Sequence, residues 1–499
     1  MLDYDRDGWL DGVFPGGGEI DVNQTIRGYP PTVWRSGAGL VAKDVTAASQ
    51  APLGRAYSHG VAVGDYDDDG FPDVLITGYR GLCLWRNLGD GTWRDETAAA
   101  GLDADRAWSS SAAFGDINGD RVVDLYVAHY VDWSFDNHPN CPNIRGERDV
   151  CPPRQFQPLP DTLFVGSGDG LFSDGSEQAG LRRDGKGLGV ILADLDGDRR
   201  LDAYVTNDTT PNFLYHHSES STDPGKLTEA GMLSGTALSD MGTPDGSMGV
   251  SLGDFDNDGL PDLWVANYER EIFALYRNLG RCLFQHVSQA TGIAATGGTH
   301  VGFGTSFGDW DLDGDEDLVV VNGHISHVPT GSPVRQTPLL LENQKGTRFV
   351  NRTESAGEFF RTPRIGRGLA CGDMDRDGDA DLVATATGDG AAVLENRTER
   401  TADWLRVELV AVSTPREAIG ARLTLEASAG PRVRYVVSGG SYLSASERDV
   451  WWGIPRGTKA GPLRIDWPGG ATQTVSLPLT NRRWVVREGC EPIVVEEGR

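Results

Sequence analysis

The feature that most constrains this chain is an acidic nonapeptide that recurs seven times. It reads DYDRDGWLD from Asp3, DYDDDGFPD from Asp65, DINGDRVVD from Asp116 and DLDGDRRLD from Asp194. It continues as DFDNDGLPD from Asp254, DWDLDGDED from Asp309 and DMDRDGDAD from Asp373. The copies lie roughly 50 to 80 residues apart, the spacing of propeller blades and similar arrays. Carboxylates crowded this closely repel one another, so a compact turn built from them needs a neutralising partner.

The flanks carry the fold signal. Short apolar stretches such as "HGVAVG", "SAAFG" and "GVSLG" precede the loops, and β-branched runs such as "DVLITG", "DLYVAH" and "DLVVVN" follow them. Such runs, bounded by Gly, Asn and Asp, are strands rather than helices. A strand, Gly-containing turn and strand then follow most copies, as in "LWRNLGDGTWRDETAAAGL" from Leu84 and "LYRNLGRCLFQHVSQATGI" from Leu275. Each repeat therefore predicts about four antiparallel strands, and seven such sheets set radially predict an all-β, seven-bladed β-propeller. A β-sandwich array is the alternative. The first repeat begins at its acidic loop and lacks an innermost strand, which either upstream residues or another segment supplies.

A chain of 499 residues exceeds one ordinary core. The acidic repeat stops near Thr398, so residues 1–397 are read as the propeller and 398–499 as a small all-β domain. In the latter, "ADWLRVELVA", "IGARLTLEA" and "LRIDWPGGATQTV" alternate as strands, with Trp404, Ile419, Tyr442, Trp452 and Trp467 as packing residues.

Oxygen ligands at loop positions 1, 3, 5 and 9, with a main-chain carbonyl at 7, can wrap one hard cation. Calcium suits them best, since it takes many protein oxygens in flexible geometry, and up to seven ions are expected. The first three ligand sets are Asp3, Asp5, Asp7, Trp9 and Asp11; Asp65, Asp67, Asp69, Phe71 and Asp73; and Asp116, Asn118, Asp120, Val122 and Asp124. The next two are Asp194, Asp196, Asp198, Arg200 and Asp202; and Asp254, Asp256, Asp258, Leu260 and Asp262. The last two are Asp309, Asp311, Asp313, Asp315 and Asp317; and Asp373, Asp375, Asp377, Asp379 and Asp381. Gly at position 6 permits the sharp turn in five copies, whereas Arg121 and Arg199 stand there in the third and fourth, making these the weakest sites. The 27 aspartates at the four side-chain positions nearly account for the formal net charge of -28. The flanks distinguish the loop from an EF-hand, which has helices and a Glu at position 12.

The acidic balance argues against nucleic acid as a partner, and no apolar run is long enough to span a membrane. Six cysteines include no CxxC pair, which speaks against a zinc site. Cys141 and Cys151 bracket "PNIRGERDV" and read as a disulfide closing a loop, which suggests an oxidising compartment. The chain opens inside an acidic loop without a signal peptide, so an upstream segment is expected for an extracellular or periplasmic protein.

Four histidines form a second candidate site. His59 and His300 precede first strands, and His129 and His324 follow second strands, placing all four near the face opposite the acidic loops. Asn207, Asp208 and Asn322 should join them around the channel. Converging imidazoles there can bind a transition metal. Hydrogen bonding to loop backbones is the plainer role. No GxSxG, HExxH or phosphate loop accompanies them.

With these residues in hand, the acidic repeats resemble the FG-GAP/VCBS repeats of integrin-like propellers. The C-terminal part resembles the ASPIC/UnbV domain through "AIGARL" (418–423), "GGSYLSASE" (439–447) and "DWPGG" (466–470). The insert "CPNIRGERDVCPPRQFQPLPDTLF" and "VNGHI" are also similar to that family. Nearly the whole chain thus resembles the cartilage acidic protein family, which includes bacterial secreted proteins and proteins encoded with enediyne biosynthesis genes. The family often has His-Phe-Gly-Leu-Gly after the "YLS" stretch, whereas this chain has "WWGIP" from Trp451. The resemblance implies a calcium-binding, extracellular, non-catalytic adhesion or scaffold protein.

Three function classes follow. The first is a secreted, calcium-stabilised interaction module for protein or polysaccharide. The second is an enzyme, in natural-product maturation, working through a His-lined transition-metal site at the channel mouth. The third is a purely structural cell-surface protein.

Overall fold

The computed structural model describes all residues except 22, 54–56, 219–222, 224, 297, 400–401 and 496–499. It is all-β, built from small sheets in a propeller-like succession, with helix confined to single turns. A four-stranded meander recurs. The first complete one joins Tyr57–Gly64, Asp73–Tyr79, Cys83–Asn87 and Trp93–Asp95 side by side. Its successors begin with the inner strands Ser109–Gly115, Gly187–Ala193, Val250–Gly253 and Gly302–Gly308. The last repeat stops at three strands, Gly366–Gly372, Asp381–Ala386 and Gly390–Leu394.

One register is kept throughout. The residue before the acidic loop pairs with the aspartate at loop position 9, as Gly64 with Asp73, Gly115 with Asp124 and Ala193 with Asp202. Gly253 with Asp262, Gly308 with Asp317 and Gly372 with Asp381 repeat it. Each loop is therefore the hairpin between first and second strands.

These strands are buried on both faces, because each sheet is sandwiched between two others. That is why they read as continuous apolar runs rather than alternating ones. Leu75, Leu84, Phe114 and Leu125 fill one seam, Tyr126, Val190, Val205 and Tyr215 the next. Tyr204, Leu263 and Tyr276, then Trp264, Phe307 and Leu318, then Val319, Leu369 and Leu382 follow. Each fully buried large side chain contributes about 1.5–3 kcal/mol relative to exposure. The first repeat, Gly12–Phe14, Thr32–Arg35 and Lys43–Asp44, packs between the last and second sheets. Met1 and Leu10 meet Ala370 and Met374 on one side, and Leu2 and Val13 meet Val63 and Trp85 on the other.

Strands after residue 401 form two further four-stranded sheets. One holds Ala402–Val410 paired in parallel with Arg482–Arg487, and the other holds Arg422–Ala427 beside Ala460–Asp466. Leu405, Leu423, Trp452, Trp467 and Trp484 lie in their shared core. This body sits on the acidic-loop side of the repeats. Tyr435 Oη and Arg422 Nη2 donate to the Gly259 carbonyl at 2.7 and 3.1 Å, and Arg199 Nη2 donates to Asp466 at 3.1 Å. The Gly453 N–H donates to Asp309 at 2.8 Å.

From this body one segment, residues 438–447, enters the middle of the repeats. Ser438 and Gly439 pair with Leu192 and Ile191, and Ser441 bridges Val250. The Val61 N–H donates to the Leu443 carbonyl, and the Leu443 N–H donates to Ser111 Oγ, both at 3.2 Å. The Cys371 N–H donates to Ser446 Oγ at 3.1 Å. The Met1 amine donates to the Ala445 carbonyl at 2.7 Å. A single polar segment thus touches the inner edge of sheet after sheet. In the first repeat Leu2 forms an isolated bridge with Asp11 across the acidic loop.

Candidate functional site

The acidic loops share one hydrogen-bond frame. The N–H at position 6 donates to the position-1 carboxylate in all seven, from Gly8 to Asp3 at 2.8 Å through Gly378 to Asp373 at 3.1 Å. The N–H at position 7 donates to the position-5 carboxylate in all seven, as Phe71 to Asp69 at 2.9 Å. These bonds place the carboxylates of positions 1, 3 and 9 side by side. One oxygen each of Asp65, Asp67 and Asp73 lies within 4.8 Å of the others, and the same holds for Asp3, Asp5 and Asp11, and for Asp254, Asp256 and Asp262.

The third and fourth loops keep the turn of the others at the backbone. Positions 4 and 6 are both left-handed. Asp68 and Gly70 have φ +55° and +94°, whereas Gly119 and Arg121 have +77° and +74°. Gly197 and Arg199 repeat the exchange at +85° and +69°. These two loops carry their glycine at position 4 instead of 6, so the turn is kept with one glycine either way. The exchange alters the donors, however. Gly119 and Gly197 donate to the second oxygen of Asp116 and Asp194, at 2.8 and 2.7 Å. In the first, second, fifth and sixth loops the corresponding oxygen, Oδ1 of Asp3, Asp65, Asp254 and Asp309, is buried with no partner among the described residues.

A buried carboxylate oxygen without a donor is costly. Burial pushes Asp65 and Asp254 up to about 7 and Asp309 up to about 8, with neighbouring acidic groups adding to it. A divalent cation fits this donor set, since it would supply the positive charge that clustered carboxylates and their unpartnered oxygens lack.

Position 9 has a further task that sequence reading missed. Asp73 accepts the Tyr66 N–H at 3.2 Å on one oxygen and the Asn87 N–H of the third strand at 2.8 Å on the other. Asp262 does the same with Phe255 and Asn278. The Asn side chain then reaches the preceding loop. Asn87, Asn278, Asn343 and Asn396 donate through Nδ2 to the carbonyls of Tyr4, Leu195, Phe255 and Trp310, at 2.7 to 2.9 Å. All four acceptors stand at position 2 of the loop before, so these asparagines staple successive sheets. Just before Asn87 and Asn278, Arg86 and Arg277 bridge positions 3 and 5 of their loops, as Arg35, which precedes Ser36, does in the first loop. The repeated "RN" of "LWRN" and "LYRN" was the available signal.

The four histidines keep separate partners. His59 Nε2 accepts from Trp108 Nε1 at 2.9 Å, and burial lowers its pKa to about 4. His129 lies 3.0 Å from Asp105 and 2.7 Å from the Pro160 carbonyl. Burial lowers its pKa, but Asp105 outweighs this and leaves it raised. His324 lies 3.2 Å from Tyr268 Oη, and its Nδ1 accepts the Ser326 N–H at 2.8 Å. His300 contacts the Thr296 carbonyl at 3.2 Å. An aromatic group joins some of them indirectly: Trp108 packs on His59, Tyr79, Tyr130 and Trp133, and Tyr130 Oη donates to Asp208 at 2.6 Å. Asn207 and Asn322 are fully buried and bond to main-chain carbonyls of Pro211 and Thr337. Cys141 and Cys151 form the expected disulfide.

Comparison with known families matches residues 65–127 and 254–320 to the FG-GAP-like repeat, and residues 411–492 to ASPIC and UnbV. Two stretches of the repeats are thus similar to FG-GAP-like repeats and one C-terminal stretch to ASPIC and UnbV. Over most of its length the chain is similar to cartilage acidic protein 1. Cartilage acidic protein 1 of Xenopus tropicalis is 22% identical over 438 residues, covering 84% of this chain and 62% of the relative. The Homo sapiens protein is 21% identical over 443 residues, covering 82% and 60%. The chain spans about 60% of the length of these relatives. Among solved structures, a lectin of Agrocybe aegerita that recognises non-reducing terminal N-acetylglucosamine aligns with TM-score 0.41 and 15% identity, over 78% of this chain and 91% of that one. Among the described residues, no helix is long and apolar enough to cross a membrane.

Proposed function

We propose that the chain is a secreted, seven-bladed, calcium-stabilised β-propeller that works as an interaction module for protein or polysaccharide. One observation carries the calcium reading. The unpartnered, buried Oδ1 atoms of Asp3, Asp65, Asp254 and Asp309 recur at the same loop position in the same hydrogen-bond frame. Repulsion among the loop carboxylates is relieved when an ion binds, and binding to the folded state alone stabilises it by mass action. The Cys141–Cys151 disulfide favours an oxidising compartment. The ASPIC and UnbV body covers the acidic-loop side, which leaves the side bearing Trp108, Trp133 and Tyr130 as the surface for a partner.

The enzyme alternative gains no support from the histidines, which are each held by neighbours of their own. The reading is tested by calcium titration of chelator-stripped protein. Binding of several ions per chain is expected, with Asp65→Asn and Asp254→Asn each lowering the number. Failure of the stripped protein to take up calcium would remove the reading.

A further inference from the structure

We propose that the fourth loop holds a borderline transition cation, zinc being the natural one, through Asp196, His216 and Cys282. A carboxylate oxygen of Asp196, a ring nitrogen of His216 and the Cys282 sulfur lie within 4.8 Å of one another. His216 stands where Arg86 and Arg277 clamp other loops. It cannot clamp in the same way: its Nδ1 lies 3.6 Å from Asp196 Oδ2, beyond a hydrogen bond, and is buried without a partner among the described residues. A separation of this size fits two ligands of one tetrahedral ion, since bonds of roughly 2.0–2.3 Å put ligand atoms about 3.3–3.8 Å apart.

The thiol comes from the next sheet. Cys282 lies in the turn between strands Ala274–Asn278 and Phe284–His286, is 5% exposed, and has no hydrogen-bond partner among the described residues. Its φ is +54°, and the equivalent turns place Gly91 and Gly170 there at +86° and +83°. Turn geometry alone would therefore favour glycine. Asp202, fully buried and in contact range of Asp196, leaves its Oδ1 unpartnered and is available as a fourth donor. Both oxygens of Asp194, by contrast, already accept main-chain N–H groups, from Gly197 at 2.7 Å and Arg199 at 3.0 Å. The fourth loop thus lacks the unpartnered position-1 oxygen of the first, second, fifth and sixth loops and adds nitrogen and sulfur ligands that suit zinc. The absence of a CxxC pair does not bear on it, because only one thiol is used. Binding releases the thiol proton to solvent as the metal–sulfur bond forms.

The inference does not depend on calcium in the other loops, and its test separates the two. Protein saturated with calcium is loaded with zinc, or with cobalt as a spectroscopic probe. One retained zinc per chain and a thiolate-to-cobalt charge-transfer band are expected. Cys282→Ser should abolish the band, and Cys282→Ser and His216→Gln should each weaken zinc binding by roughly tenfold or more, since even an outer-shell partner is worth that much. Cys282→Gly, which suits the left-handed backbone, gives a folded variant if the serine variant does not fold. Absence of the band, its survival in both Cys282 variants, or zinc retention unchanged in every variant would overturn the proposal. Calcium-dependent melting of the same samples reports on the other loops independently.

Discussion

The Ser441 hydroxyl donates to the Leu369 carbonyl at 2.7 Å, joining the C-terminal body to the inner strand of the last repeat. The same oxygen accepts the Thr305 N–H at 3.2 Å. Ser441 is buried, so neither group has water as a substitute. Ser441→Ala, which keeps the left-handed backbone without a β-branch, should cost about 2–4 kcal/mol through the two groups left unsatisfied. Denaturant midpoints measure it. A loss no larger than that of an exposed substitution would mean that the central segment does not brace the sheets.

The asparagine staple predicts a loss of similar size elsewhere. Asn343 Nδ2 donates to the Phe255 and Glu316 carbonyls at 2.7 and 3.0 Å and is almost fully buried. Asn343→Ala should lower stability by about 2–4 kcal/mol. Thr347→Ala, in the adjoining exposed turn, should change it little. Equal effects would contradict the staple.

Docking of the C-terminal body is tested at a glycine. A Cβ at Gly378 would fall 1.8 Å from Trp404 Cε2, with φ at +98°, whereas one at Gly388 meets nothing within 4 Å at φ +82°. Both alanine variants bear left-handed strain of about 1 kcal/mol. Only Gly378→Ala adds the clash, worth about 1–3 kcal/mol more. Matching melting curves for the two would show that Trp404 does not pack on that loop.

The loops also predict how pH acts. Burial raises Asp73 and Asp317 to about 9, Asp11 to about 8, and Asp65 to about 7. The folded, ion-free state therefore binds more protons than the unfolded chain between the ordinary carboxylate range and these values. Its stability is greatest near the low end of that window and falls as pH rises toward about 9. Calcium should reverse the trend, because it competes with those protons and binds more tightly as pH rises. Melting points between about pH 5 and 9, with calcium and with chelator, test this. Parallel curves under the two conditions would contradict it.

What was legible came from local repetition. Acidic loops and β-branched runs recur at fixed offsets, so the hairpins and their strands could be read one repeat at a time. The exchange of glycine from position 6 to position 4 beside Arg121 and Arg199 could not be read from position 6 alone, because both positions share a left-handed conformation. The central segment could not be read. Gly439, Ser441 and Ser446 are small because sheets crowd them from several sides, and the hydrogen bonds of the two serines span 72 or more residues of sequence. His300 and His324 lie just outside their strands, whereas His59 falls within Tyr57–Gly64 and His129 ends Asp124–His129, and partners such as Asp105 and Trp108 come from segments with no repeat to index them.

The central claim is that the aspartate loops are tolerable in the fold because divalent ions occupy them. Thermal unfolding of one preparation, first in millimolar calcium and then after complete chelation, tests it most directly. Several sites, each contributing about 2.7 kcal/mol at a hundredfold excess over the dissociation constant, predict a fall in Tm of about 10 °C or more, restored by calcium. An unchanged melting point, with no calcium bound before chelation, would contradict the account.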